Sequence, residues 1–168
     1  TATAIPDDVC SPQSDTFSTG TMDETVWEFE DPVGDSVLEV ESTGISITVP
    51  QGTKHTLWNQ EYTIARLMQE VENINFDIAV GFRSLPTGNI AQQGIVIEGT
   101  QGDVSHLLRL EFYSQNEDLN FYAGAFQDGQ TVGGETKTIE RQGSTVALRV
   151  KREDVNWNIQ YSYDGQEW

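Results

Sequence analysis

Residues 105–114, SHLLRLEFYS, decide the fold. Leu108, Leu110 and Phe112 alternate with Leu107, Arg109, Glu111 and Tyr113, the period of two of a strand with one buried face. The first set predicts a core. The second carries Arg, Glu and Tyr in a row where bland polar residues would be enough. That outer row is expected to be either a ligand platform or a salt-bridged scaffold.

The same alternation extends in both directions. Phe76, Ile78, Val80 and Phe82 interleave with Asp77, Ala79, Gly81 and Arg83, and residues 94–98 and 119–126 also read as strands. Val146, Leu148 and Val150, then Trp157, Ile159, Tyr161 and Tyr163, repeat the pattern. Asp128-Gly129 is a strong hairpin signal, and Asn116-Glu117-Asp118 and Asp164-Gly165 also read as turns. Residues 131–139 predict a weaker strand interrupted by Gly133-Gly134. Nearer the N-terminus, residues 37–41 and 45–49 flank Ser42-Thr43-Gly44 as a compact hairpin. Asp31-Pro32-Val33-Gly34-Asp35 is a turn by composition. Residues 55–63, HTLWNQEYT, read as a polar and aromatic loop.

One segment is ambiguous. Ile64, Leu67, Met68, Val71 and Ile74 fall at helical spacing behind Thr63 as a plausible N-cap, yet every neighbour reads as strand. Short strands joined by turns predict an all-β sandwich or jelly roll. Residues 1–14 predict a linker and residues 15–168 one domain. The terminal Asp164-Gly165-Gln166-Glu167-Trp168 resembles a turn whose return strand has just begun, so either residues beyond Trp168 or a segment inserted later is expected to complete the sheet.

Charge narrows the partners. The 168 residues carry a formal charge of −18 with nine Lys plus Arg, which argues against nucleic acid or an anionic membrane surface. The balance suits calcium, cationic or neutral partners, or a salty medium. No apolar run is long enough for membrane insertion. Cys10 is the single cysteine, so no internal disulfide is expected. With only His55 and His106 to assist it, neither a zinc site nor a cysteine nucleophile is expected. Thr1 is expected to mark a processed boundary, which makes a secreted or cell-surface location an inference.

Several pieces, in order, carry a resemblance: Asp15-Thr16-Phe17, Trp27, Asp31-Pro32-x-Gly34-Asp35, and Pro50-x-Gly52-Thr53-x-His55-x-Leu57-Trp58. Ala65-Arg66-Leu67-x-Gln69, Gln93-Gly94, Leu108-Arg109-x-Glu111 and Tyr163-x-Gly165-x-x-Trp168 complete the series. Together they resemble the concanavalin A-like "regulation of enolase" type domain of secreted bacterial proteins, across roughly residues 15–168. The resemblance implies a concanavalin A-like β-sandwich, the jelly roll. It puts residues 65–71 on a strand, against their helical spacing. It also implies a structural Ca2+ that ties the first strand to the last, with Asp15 and the carbonyl of Gly44 as ligands.

Three functional readings follow. A glycan-binding module needs aromatic faces and planar polar groups. Trp58, Tyr113 and Tyr122 supply the former, and Arg66, Gln93, Glu98, Arg109 and Glu111 the latter. In this reading the module serves a larger enzyme or adhesin, with a glycan or polysaccharide and the other domains of the same polypeptide as partners. In the second, structural or protein-contact reading, the same charges are internal ion pairs, and His55 and Arg66 hold loop and sheet together. A glycoside hydrolase, the third, needs two facing carboxylates. Only Glu98 and Glu111 on one face offer them, so a non-catalytic protein is expected. Trp27, Trp157 and Trp168 are assigned to the core.

Overall fold

The computed structural model describes residues 11–58 and 61–168; Cys10 and most of the expected linker lie outside them. Among the described residues every regular element is a strand. They fall into two compact units, Thr1–Ile74 and Asn75–Trp168.

The first unit is built from three antiparallel strand pairs. Strand β1 (Glu28–Glu30), the hairpin β2 (Val37–Glu41) and β3 (Gly44–Thr48), the minimal hairpin β4 (Leu57–Trp58) and β5 (Glu61–Tyr62), and β6 (Arg66–Met68) follow in order. β2 pairs with β3, β4 with β5, and β1 with β6. The strand reading of residues 65–71 therefore stands for Arg66–Met68, and the helical spacing misleads. Phe29 pairs with Leu67 and Glu30 with Arg66, so β1 satisfies backbone groups that a helix would have satisfied internally. The stretch 55–63, read as a loop, instead turns back on itself, with Leu57 opposite Tyr62. Thr63 secures that return: its amide donates to the Thr56 carbonyl at 2.9 Å, and its hydroxyl accepts from the Thr56 amide at 2.9 Å.

The second unit holds the longer strands: β7 (Phe76–Phe82), β8 (Gln92–Gln101), β9 (Val104–Gln115), β10 (Asp118–Gln127), β11 (Gln130–Ile139), β12 (Val146–Glu153) and β13 (Asn156–Ser162). They form a four-stranded antiparallel sheet in the order β11-β10-β9-β8 and a three-stranded one in the order β13-β12-β7. The two sheets share one core. Leu110 and Phe112 of β9, Leu119 of β10 and Ile139 of β11 cluster with Val146, Leu148 and Val150 of β12. Phe112, fully buried, meets Phe82 and Tyr161 edge-on at 6.4 and 6.1 Å and Phe121 at 5.6 Å. Burying such a ring contributes about 3 kcal/mol. The unit is thus sandwich-like, with the core face of β9 where the alternation puts it.

Turn chemistry sets the register. Asn116 and Glu117 both take left-handed backbone, at φ 52° and 74°, as do Asp128 and Gly129 at 47° and 73°. Two successive positive φ values define the turn whose twist matches a hairpin. β11 is continuous through Gly133-Gly134, contrary to the expected interruption. The irregularity lies one step away: Ala125 pairs with Gly133 but Phe126 with Thr131, leaving Val132 as an extra, 63% exposed residue. The tryptophans divide. Trp157 packs against the core and meets Phe76 edge-on at 5.7 Å, whereas Trp27 meets Phe17 at 5.7 Å in the first unit. Trp168 is not in the core cluster; its ring lies under the Arg149 guanidinium at 5.6 Å.

Candidate functional site

The outer face of the four-stranded sheet follows from its register. Glu111 stands opposite Tyr122 of β10 and Gly94 of β8, and Arg109 stands opposite Gly124 and Val96. Tyr113 is flanked by Asn120 and Gln92, and Leu107 by Phe126 and Glu98. The sheet therefore gathers Arg109, Glu111, Tyr113, Tyr122 and Glu98 on one face. Gln93 points to the other face, where it pairs with Phe112 in register. Its side-chain amide donates to the Ser84 carbonyl and accepts from the Ser84 hydroxyl at 3.3 Å. It anchors the loop after β7.

The centre of this outer face is closed. Arg109 donates from Nε to Glu111 Oε2 at 2.8 Å and from Nη2 to Oε1 at 2.7 Å. The two residues are 5% and 7% exposed. Burial pushes the Glu111 carboxyl above its usual range, and the Arg109 guanidinium opposes that rise. Tyr122 lies 5.7 Å below the Arg109 guanidinium carbon. Burial also raises the Tyr122 phenol, with Arg109 again opposing.

Two glycines make room for this arrangement, and sequence reading gave them no role. A Cβ at Gly124 would sit 2.1 Å from the Tyr122 hydroxyl, so the phenol lies across bare backbone. A Cβ at Gly94 would sit 2.0 Å from the Leu110 carbonyl oxygen and 2.7 Å from Glu111 Cα. At the next level, the Thr138 hydroxyl donates to Asn120 Oδ1 at 2.8 Å.

Glu98 and Glu111 share the face, as expected, but Glu98 is opposite Leu107. Four residues along a strand put the two carboxylate positions about 13 Å apart. A glycosidase pair sits roughly 5 to 9.5 Å apart.

Trp58 and Arg66 belong to the first unit. Trp58, on β4, is 48% exposed. Arg66 forms an ion pair with Glu30, directly opposite on β1. The expected calcium ligands are also here. Asp15 turns on its own chain, with Oδ1 accepting from the Phe17 amide at 2.6 Å. Gly44 opens β3 opposite Glu41.

Among the described residues, one group of three His or acidic side chains brings its ligand atoms within 4.8 Å of one another: Asp31, Asp35 and His55. The sequence reading took Asp31 to Asp35 as a turn without linking it to His55, and the structure brings the three together. The signal was present in Asp31-Pro32-x-Gly34-Asp35, a turn that returns its second acid toward its first.

Comparison with protein-family models, with curated proteins and with solved structures gave no match.

Proposed function

We propose that this chain is a non-catalytic β-sandwich module of a larger secreted or cell-surface protein, one that acts by contact rather than by chemistry. The observation that carries the reading is the Arg109–Glu111 pair. Both carboxylate oxygens of Glu111 are held by one guanidinium, which supports a scaffolding role for this acid over one as general acid or nucleophile. The separation of Glu98 from Glu111 supports the same conclusion. The sequence resemblance and the sandwich-like second unit support a concanavalin A-like jelly roll.

The ligand class we favour is a neutral glycan stacked on an exposed aromatic ring, which suits a chain of net charge −18 without a broad basic surface. Trp58, with its indole half exposed, is the leading platform, and Tyr113 is the alternative in the second unit. A glycan array probed with and without Ca2+ tests this. Binding that Trp58→Ala or Tyr113→Ala reduces at least about tenfold supports the reading, since that corresponds to about 1.4 kcal/mol. Absence of binding, or binding indifferent to both variants, overturns it.

Burial on both faces of β9 favours a second reading, a structural or protein-contact domain. Leu110 and Phe112 are 0% exposed on one side, while Leu107, Arg109 and Glu111 are at most 7% exposed on the other. In that case Arg109→Ala lowers the melting temperature and changes no ligand affinity.

A further inference from the structure

We propose that Asp31, Asp35 and His55 form a binding site for a divalent transition cation of the Zn2+ or Mn2+ class. The proposal is independent of any glycan and rests on the first unit alone.

The turn from Asp31 to Asp35 brings both acids to one side. Gly34 takes a left-handed φ of 79°, and the Ser36 amide donates to Asp31 Oδ2 at 2.7 Å. The β4–β5 return, braced by the Thr56–Thr63 hydrogen bonds, presents His55 to the same point. The His55 side chain is 8% exposed, and its Nδ1 lies 3.2 Å from the Thr63 carbonyl oxygen.

That contact assigns the ring. A carbonyl oxygen only accepts, so Nδ1 carries the hydrogen, and Nε2 of the neutral imidazole holds a bare lone pair. Nε2 then faces Asp35 Oδ1 at 3.1 Å. It is buried without a hydrogen-bond partner among the described residues, and so is Asp31 Oδ1. One ligand atom from each of the three residues lies within 4.8 Å of the others, and in the neutral ring the bare lone pair of Nε2 adds to two carboxylates. Acceptors so placed repel unless a cation lies among them.

A proton on Nε2 would answer Asp35 but leave Asp31 to the amides of its own turn. A metal ion answers all three. One imidazole favours the borderline Zn2+, and the two carboxylates also suit Mn2+, over Ca2+, which prefers six to eight oxygens. The Nδ1–H to carbonyl bond is the outer-shell contact that orients a metal-binding histidine. The ion also has a structural task to perform. Among the described residues the first unit consists of two-stranded pieces, four of whose six strands have only two or three residues, the kind of small assembly that a metal staples.

The test uses tag-free protein stripped with chelator, titrated separately with Zn2+, Mn2+, Ca2+ and Mg2+ by calorimetry and followed by melting temperature. The expected result is one equivalent of Zn2+ or Mn2+ bound, with the melting temperature raised by several degrees. Asp31→Asn, Asp35→Asn and His55→Ala should each weaken binding at least tenfold, while His106→Ala should leave it unchanged. Nitrogen-15 NMR of the imidazoles adds a readout beyond stability: metal should shift His55 Nε2 and not His106. Stoichiometric Zn2+ or Mn2+ binding that survives His55→Ala overturns the proposal, and so does a His55 imidazolium at neutral pH that added metal does not displace.

Discussion

Arg109 and Glu111 sit two residues apart on β9 and close a bidentate ion pair, with both side chains buried. A pair of this kind gains little over well-packed apolar residues, yet removing one member strands a buried charge. Arg109→Met alone should therefore cost about 3–5 kcal/mol, and Arg109→Met with Glu111→Leu should recover most of that. Urea denaturation of the two variants checks it. Additive losses would show that the pair is not the unit that matters.

Gly94 tests the close approach of β8 to β9. The atoms that a new Cβ would strike are backbone, the Leu110 carbonyl oxygen and Glu111 Cα, so no side chain can swing aside. Gly94→Ala should destabilise by about 3 kcal/mol, the upper end for overpacking. Gly99, on the same strand, has nothing within 4 Å of its Cβ position, and Gly99→Ala should be near neutral. Equal effects at the two sites in thermal melts would refute the distinction.

Glu117 occupies a left-handed position at φ 74° in the β9–β10 turn. Such backbone costs an ordinary side chain about 1–2 kcal/mol, and Asn-Gly is the favoured pair for this turn. Glu117→Gly should raise stability by about 1 kcal/mol, read as a higher denaturation midpoint at unchanged m-value.

Asp164 gathers hydrogen bonds at the end of the second unit. Its Oδ1 accepts from the Gln166 amide at 2.9 Å, the Glu167 amide at 3.0 Å and the Ser162 hydroxyl at 2.8 Å. These donors, the Gln166 amide first, lower its pKa from 3.8 to about 2. A depressed carboxylate contributes stability that is complete above its unfolded value and is lost as pH falls through its folded one. The stability gap between the protein and Asp164→Asn should thus shrink between about pH 4 and pH 2. A gap that holds constant through that window would contradict the assignment.

The strands of the second unit were legible because long alternation and left-handed turn residues agree with each other. Leu108, Leu110 and Phe112 announce a face, and Asp128-Gly129 announces where the chain reverses. The first unit was less legible. A strand such as Arg66–Met68 is too short to show a period, so Ile64, Leu67 and Val71 fell into helical spacing by coincidence. Alternation also shows that β9 has two faces but not that both are buried, so Arg109 and Glu111 looked available to a ligand. Asp31, Asp35 and His55 meet only through folding. The aspartates lie within one turn, but nothing local reveals that a histidine twenty residues later closes on them.

The bulge at Val132 has a consequence for how copies of this molecule treat one another. β11 borders the larger sheet and is exposed along nearly all of its length, so its outer row of backbone groups is a template on which a foreign strand can be laid down. Three features spoil that template. Val132 throws the strand out of step, Gly133-Gly134 deprives it of side chains to grip, and Glu135 and Lys137 put charge along it. The edge of the larger sheet thus gives a second copy little on which to zip into fibres.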